Sequence, residues 1–255
     1  MGDAVTLKQR LGALLIPRLP VTRFLFDQIR VEVNAWTAGL GNRLIPARRR
    51  RLAALRRQRG LLVNVACGPL ALPGFVNLDL YPTHPDVVRW DCRWGLPFAD
   101  GAVAGLRAEQ FFEHLETREE VPAFLADCRR VLAPGAVLRI VVPDAGRFLA
   151  AYCRSQESGG DLSGFRELAV PEPFPADLPT RMDVVNHAFH QWHEHRWGYD
   201  FETLEHRLRT AGFRRIEQTA YRRSLDPRLA GDAGNPADAE VHAPYSLYVD
   251  AVREA

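Results

Sequence analysis

Lysine is nearly missing. Lys8 is the only one among 33 basic residues, and the rest are arginine, a bias expected of a GC-rich, bacterial genome. Acidic residues number 31, which leaves a formal charge of +2, so no field of one sign draws this chain to nucleic acid. Cysteine is scarce: Cys67, Cys92, Cys128 and Cys153 stand far apart with no CxxC pair. That spacing argues against a disulfide framework and a cysteine-based metal site, and points to reduced thiols in a cytosol. No apolar run approaches the roughly 20 residues of a membrane span, and no signal-peptide pattern is present, so a cytoplasmic protein is expected. Internal repeats and low-complexity segments are also lacking.

What is present is ordinary for a folded enzyme-sized chain. Hydrophobic residues make up 47% and charged residues 25% of 255 positions, enough to bury one full core. Residues 1–59 read as an N-terminal helical extension. A short apolar turn at 11–16 is followed by Phe24, Leu25, Phe26, Ile29, Val33 and Trp36 at helical spacing, up to an expected break at Gly39-Leu40-Gly41. Pro46 then opens a helix carrying Arg48 to Arg51, Arg56, Arg57 and Arg59. Those arginines read first as a solvated face, and second as a basic, amphipathic surface for peripheral contact with a membrane or an anionic glycolipid.

From residue 60 the texture changes, and 60–255 reads as the second domain. Apolar strands are expected at 61–65, 75–79, 87–91, 102–108 and 137–142, with a helix over about 118–132 whose Thr117 and Glu120 are spaced as a capping box. A last helix at 201–211 and strands at 213–221 and 246–252 follow, with a polar loop near 224–243 between those strands. Such alternation implies an α/β fold with a parallel sheet and helices on both faces. Residues 145–198, rich in proline and histidine, interrupt it as a lid or acceptor insertion.

In a sheet of this kind a nucleotide-like ligand binds at the carboxyl ends of the strands. The first strand runs into Cys67-Gly68-Pro69, where glycine permits close backbone approach. The second ends on Asp79, where a carboxylate can accept both hydroxyls of a ribose. The third ends on Asp91-Cys92, where an adenine amino group can be met. Each feature alone is weak; their order and spacing carry the reading.

The runs 63–69 and 73–79, with Trp94-Gly95-Leu96-Pro97-Phe98, Glu109-Gln110-Phe111-Phe112-Glu113-His114-Leu115, Arg130-Val131-Leu132-Ala133-Pro134-Gly135 and Val141-Val142-Pro143-Asp144, resemble the motifs of class I S-adenosylmethionine-dependent methyltransferases of the bacterial type-11-like family. The resemblance covers residues 61–149 well and the last strands loosely. It implies a Rossmann-like, mostly parallel seven-stranded sheet with S-adenosyl-L-methionine as cofactor. By position it implies Ala66, Cys67 and Gly68 along the methionine moiety, Asp79 on the ribose, Asp91 and Cys92 near adenine, and Gln110 beside the sulfonium. Two departures stand out. Ala66 and Leu70 replace family glycines, and so few residues separate Ala66 from Val76 that the first crossover must be compressed to about one turn.

The second cluster is Asn186-His187-Ala188-Phe189-His190-Gln191-Trp192-His193-Glu194-His195-Arg196-Trp197, with four histidines in nine positions. An acceptor pocket ranks first for it and a packed structural segment second. A metal site ranks third, since no cysteine or second histidine group lies nearby and Glu194 is the only local carboxylate. The stretch His195-Arg196-Trp197-Gly198-Tyr199-Asp200 resembles one in methyltransferases found with glycan-assembly enzymes. That resemblance suggests O-methylation of a sugar, glycan or glycolipid hydroxyl. Such an acceptor needs a base near neutral pKa. His190, His195 and His187 are the candidates, with Asp144 to orient one of them or to act itself, and His114 reads as structural. The [DNS]PP[YFW] tetrapeptide of amino-group methylation, the Pro-Cys nucleophile of pyrimidine methylation and the three-cysteine cluster of radical chemistry are all absent. A methyltransferase of another small molecule or lipid, and a degenerate cofactor-binding scaffold protein, are the alternatives. No metal is expected, and the oligomeric state is not readable.

Overall fold

A computed structural model describes residues 22–69, 71–157, 163–166, 168, 178, 180–231 and 243–254. The apolar turn expected at 11–16 lies outside these, as does much of the loop near 224–243.

Helix α1 (Arg23–Leu44) is capped by Thr22, whose hydroxyl accepts the Leu25 amide at 3.2 Å. It runs through Gly39 and Gly41 without the expected break and ends at Ile45, held extended by the following proline. Helix α2 (Pro46–Arg57) then folds back. A Cβ on Gly41 would stand 2.6 Å from Arg48 Nη1. That glycine therefore marks the close approach of α1 to α2, and packing overrides its low helix propensity.

The sheet has seven strands in the order β3-β2-β1-β4-β5-β7-β6. They are β1 (Leu61–Val65), β2 (Val76–Asp79), β3 (Val88–Arg89), β4 (Val103–Glu109), β5 (Leu132–Pro143), β6 (Arg214–Gln218) and β7 (Ser246–Val252). The first five run parallel, and β7 is antiparallel to both β5 and β6. This is the Rossmann-like, mostly parallel seven-stranded sheet that the resemblance implies, and strands β1 to β5 form the parallel α/β part that the alternation predicts.

Its two faces differ. One is apolar: Val63, Val65, Leu78, Leu106, Ala108, Leu138, Ile140, Val142, Val249 and Ala251 are buried in one cluster. Phe124, Leu125 and Cys128 of α3 (Glu120–Val131), Leu204 and Leu208 of α7 (Phe201–Thr210), and Leu52 and Leu55 of α2 pack into the same cluster. The other face carries a polar row in register across five strands, Asn77, Asn64, Arg107, Arg139 and Asp250, all buried. The segment 219–231 closes over this row. Arg139 donates to Asp250 Oδ1 at 2.9 Å, Thr219 Oγ1 at 3.0 Å and the carbonyls of Ala220 and Arg223. Asp250 also accepts the Ser224 hydroxyl and the Leu225 amide, each at 2.7 Å. Arg107 pairs with Glu109 and donates to the Gly231 carbonyl. Where polar groups are buried they must be paired, and here they bind the 219–231 segment.

No helix fills the first crossover among the described residues. The Asn77 side chain holds it instead, accepting the Leu72 amide and donating to the carbonyls of Leu72 and Phe75, while the Asn64 amide donates to its oxygen at 3.0 Å. The turn before α3 also differs from expectation. Glu116 accepts the amides of Arg118 and Glu119, and Glu120 accepts that of Glu116, so Thr117 is not the cap.

The segment 145–198, expected to be irregular, is largely helical where described: α4 (Ala145–Glu157), the short α5 (Ser163–Arg166) and α6 (Arg181–His190). Thr180 and Asp183 form the capping box of α6. Phe148, Ala151, Phe165, Val184 and Val185 make a second core here, separate from that of the sheet.

Candidate functional site

Two groups of residues meet at the carboxyl ends of the strands. The first lies beyond β1, β2 and β3. Ala66 leaves β1 at φ 50° and Gly68 follows at φ 54°, left-handed values that an alanine adopts at a cost of about 1 kcal/mol. No atom comes within 4 Å of a Cβ built on Gly68, so the turn faces open space. Asp79, at the end of β2, accepts the Gly68 amide on Oδ2 at 2.8 Å and the Tyr81 amide on Oδ1 at 2.6 Å. Each oxygen keeps a lone pair, since a carboxylate offers about four acceptor positions. The buried Cys92 thiol is pushed well above its usual value by burial. It lies against the backbone of Ala66, with Asp91, Asp79 and Cys67 near it. Burial raises Cys67 to about 11, and the charge of Asp79 adds to the effect. Ala66, Cys67, Gly68, Asp79 and Cys92 are thus brought together.

Asp91 joins them differently. Its carboxylate caps the 3₁₀ turn Cys92–Trp94 and pairs with Arg93, whose guanidinium also reaches Glu32 of α1 and Glu120 of α3. The turn, α1 and α3 are tied at this one arginine. Gln110 lies past the end of β4, where the register of Val65 with Ala108 sets it level with Cys67. Its φ is 49°. Its amide donates to the Val141 carbonyl at 2.8 Å and its Nε2 to Ser246 Oγ at 3.3 Å.

The second group is the histidine segment with the 3₁₀ turn Phe112–His114 after β4. His190 ends α6 and is exposed. His195 is buried, and its Nδ1 lies 2.8 Å from the Ala188 carbonyl. Burial, the largest cause, and neighbouring His114, His187 and His190 push it down to about 4. Its Nε2 faces Glu113 Oε1 at 4.0 Å. Asp144 does not orient either histidine through any hydrogen bond found among the described residues. It accepts the Arg147 amide at 3.2 Å at the start of α4, and Arg147 Nε stands 3.3 Å from its other oxygen.

Glu113 is the residue that sequence reasoning passed over. It is 1% exposed, and burial raises its carboxyl to about 8. Its carbonyl accepts the amides of Arg196 and Trp197, which fixes the histidine segment against the turn after β4. The available signal was the Glu113-His114 pair set between Phe112 and Leu115. The segment also touches α1: the rings of Phe24 and His193 are 5.2 Å apart, and Arg196 pairs with Gln28.

No family model matches this chain, and neither does any curated protein. Similar solved structures include a SAM-dependent methyltransferase from Archaeoglobus fulgidus, 16% identical, covering 83% of this chain and 94% of that one with a TM-score of 0.43. A second is an S-adenosylmethionine-dependent methyltransferase from Mesorhizobium loti, at 15% identity, 80% and 96% coverage and a TM-score of 0.43. A third is geranyl diphosphate C-methyltransferase from Streptomyces coelicolor, at 14% identity, 83% and 80% coverage and a TM-score of 0.38.

Proposed function

We propose that this chain is an S-adenosylmethionine-dependent methyltransferase that O-methylates a hydroxyl of a sugar, glycan or glycolipid. The observation that carries the reading is the Gly68–Asp79 unit: a left-handed glycine facing open space, bonded to a carboxylate with acceptor capacity to spare, at the carboxyl ends of adjacent parallel strands. These residues fit the cofactor. Asp79 would take the ribose hydroxyls, Ala66, Cys67 and Gly68 would line the methionine portion, and Asp91 with Cys92 would stand beside adenine. Gln110, anchored on Ser246 and the Val141 carbonyl, would stand beside the sulfonium.

When bound, S-adenosylmethionine supplies a methyl group already made electrophilic by its sulfonium. What remains for the chain is alignment, exclusion of water and proton removal from the hydroxyl. His190 suits proton removal better than His195. It is exposed, whereas His195 is buried with Nδ1 on a backbone carbonyl and is driven to about 4, a weak base at neutrality. Asp144, held by Arg147, helps position α4 in this reading. Titration calorimetry with S-adenosylmethionine, then a methyl-transfer assay over glycans, glycolipids and other lipids, tests the proposal. Binding without transfer to any acceptor would favour the scaffold alternative, which the left-handed Ala66 and the helix-free crossover support. Absence of binding would sink the methyltransferase reading itself.

We further infer peripheral contact with an anionic membrane surface. Helix α1 exposes Leu25, Ile29, Val33, Trp36, Leu40 and Leu44, spaced to form one stripe, and the arginines of α2 follow it. No described helix is long and apolar enough to cross a membrane. Co-sedimentation with anionic vesicles that fails for the wild type, or that survives replacement of Arg48 to Arg51 by glutamate, counts against this contact. Concentration-dependent self-association without vesicle binding would assign the stripe to a second copy of the chain.

A further inference from the structure

The histidine segment lacks metal partners in sequence, but the fold supplies them. Glu113, His114 and His195 each offer one ligand atom, and these atoms all lie within 4.8 Å of one another. We propose that they form a binding site for one divalent transition-metal cation, of which zinc is the best match.

The orientation of the two imidazoles is the first argument. His114 Nδ1 lies 2.9 Å from the Glu194 carbonyl, and His195 Nδ1 lies 2.8 Å from the Ala188 carbonyl. A carbonyl oxygen only accepts, so each Nδ1 carries the proton and each Nε2 presents a bare lone pair. Metal-binding histidines are oriented in this way, with the second nitrogen donating to a backbone carbonyl or a carboxylate. The rings meet edge to face, with centroids 4.9 Å apart.

The carboxylate is the second argument. Glu113 is 1% exposed, and neither Oε1 nor Oε2 has a hydrogen-bond partner among the described residues. A buried carboxyl left without a donor costs stability. His195 Nε2 faces it at 4.0 Å and in this tautomer has no proton to give. A divalent cation would satisfy the carboxylate and both lone pairs together.

The donor set selects the cation. Two imidazole nitrogens and one carboxylate suit zinc and its neighbours in the first transition row, whereas calcium and magnesium take oxygen ligands. Donors at about 2.0–2.2 Å from a tetrahedral ion stand roughly 3.5 Å apart, so the side chains need to close by about 1 Å. Three protein donors leave a fourth position for water or a substrate oxygen. Because Glu113 and His114 follow β4 while His195 follows α6, the cation would join the histidine segment to the sheet. The site stands independently of the cofactor reading.

The test uses the whole chain and metals alone, with no methyl acceptor. Metal is stripped by chelation, and zinc, cobalt, nickel, manganese and magnesium are then added singly. The expected result is one equivalent of zinc by elemental analysis, a rise in melting temperature with zinc, and visible cobalt(II) absorption of tetrahedral type. Glu113→Gln, which keeps side-chain volume, and His195→Gln should each weaken binding about 10²-fold and change the cobalt spectrum, while His193→Gln and His206→Gln keep both. Metal content no higher than in a buffer blank, with no thermal shift on adding zinc, overturns the site. So does a cobalt spectrum that Glu113→Gln and His195→Gln leave unchanged. If Glu113→Gln fails to fold, the His114→Gln and His195→Gln pair decides by the same spectrum.

Discussion

The amide of Gly68 donates to Asp79 Oδ2 at 2.8 Å, which binds the loop after β1 to the end of β2 across eleven residues of sequence. The same carboxylate accepts the Tyr81 amide, so Asp79 shapes the turn that it is proposed to share with the cofactor.

Replacement of Asp79 should therefore act twice. Asp79→Ala is expected to weaken S-adenosylmethionine binding at least tenfold, the equivalent of about 1.5–3 kcal/mol for a lost charged acceptor. Asp79→Asn should recover part of the stability, since an amide oxygen can still accept one N–H. Calorimetry and thermal melts of both variants check this, and an unchanged affinity in folded Asp79→Ala removes the residue from the site.

His190→Ala should lower turnover about 10²–10⁴-fold and leave cofactor affinity nearly intact, as expected for loss of a general base. Turnover within a few-fold of wild type would transfer the role to another group or to an acceptor that needs no base.

The buried pair Arg139–Asp250 is the stability test. Asp250→Ala leaves an uncompensated guanidinium under the 219–231 segment and should cost about 3–5 kcal/mol. A double replacement by apolar residues, Arg139→Met with Asp250→Leu, should be milder than Asp250→Ala alone. Urea denaturation of the three proteins gives the ordering, and equal losses would argue against charge burial as the cause.

The cysteines set an alkaline limit. Cys67, Cys92 and Cys128 are all buried, and their thiols lie above the usual 9.0, with Cys67 at about 11. Each is an acid whose folded value exceeds its unfolded one, so the folded chain holds a proton that the unfolded chain releases. The contribution of Cys67 to stability is full below about pH 9 and is lost as pH rises through about 11, and Cys92 and Cys128 act in the same direction. Thermal melts over that window should decline. At about pH 8 iodoacetamide should modify exposed Cys153 first, and rapid alkylation of Cys67 in the folded protein would contradict its burial.

Much of the fold was legible because its causes are local. Apolar runs set β1 and β7 to the residue, whereas β5 begins at Leu132, five residues before the expected start, and Gly68 and Asp79 could be paired on paper because short strands place them at one sheet end. The capping box Thr180–Asp183 opens a helix where proline and histidine content had suggested irregular chain. Other features have causes that are not local. Propensity placed a break at Gly39-Leu40-Gly41, but the approach of Gly41 to Arg48 of α2 carries α1 through it. The partners of Arg107 and Arg139 were not legible, since nothing near these residues in sequence shows that a loop 80 or more residues away will close over them. Glu113 and His114 lie about as far from the histidine segment, and hydrophobic periodicity carries no information on which loops meet. Residue order by itself determined the strands, their direction and the ends where a ligand can bind. Only tertiary packing decided which charges are buried and which lone pairs face one another, because desolvation and pairing depend on distances that the chain acquires on folding.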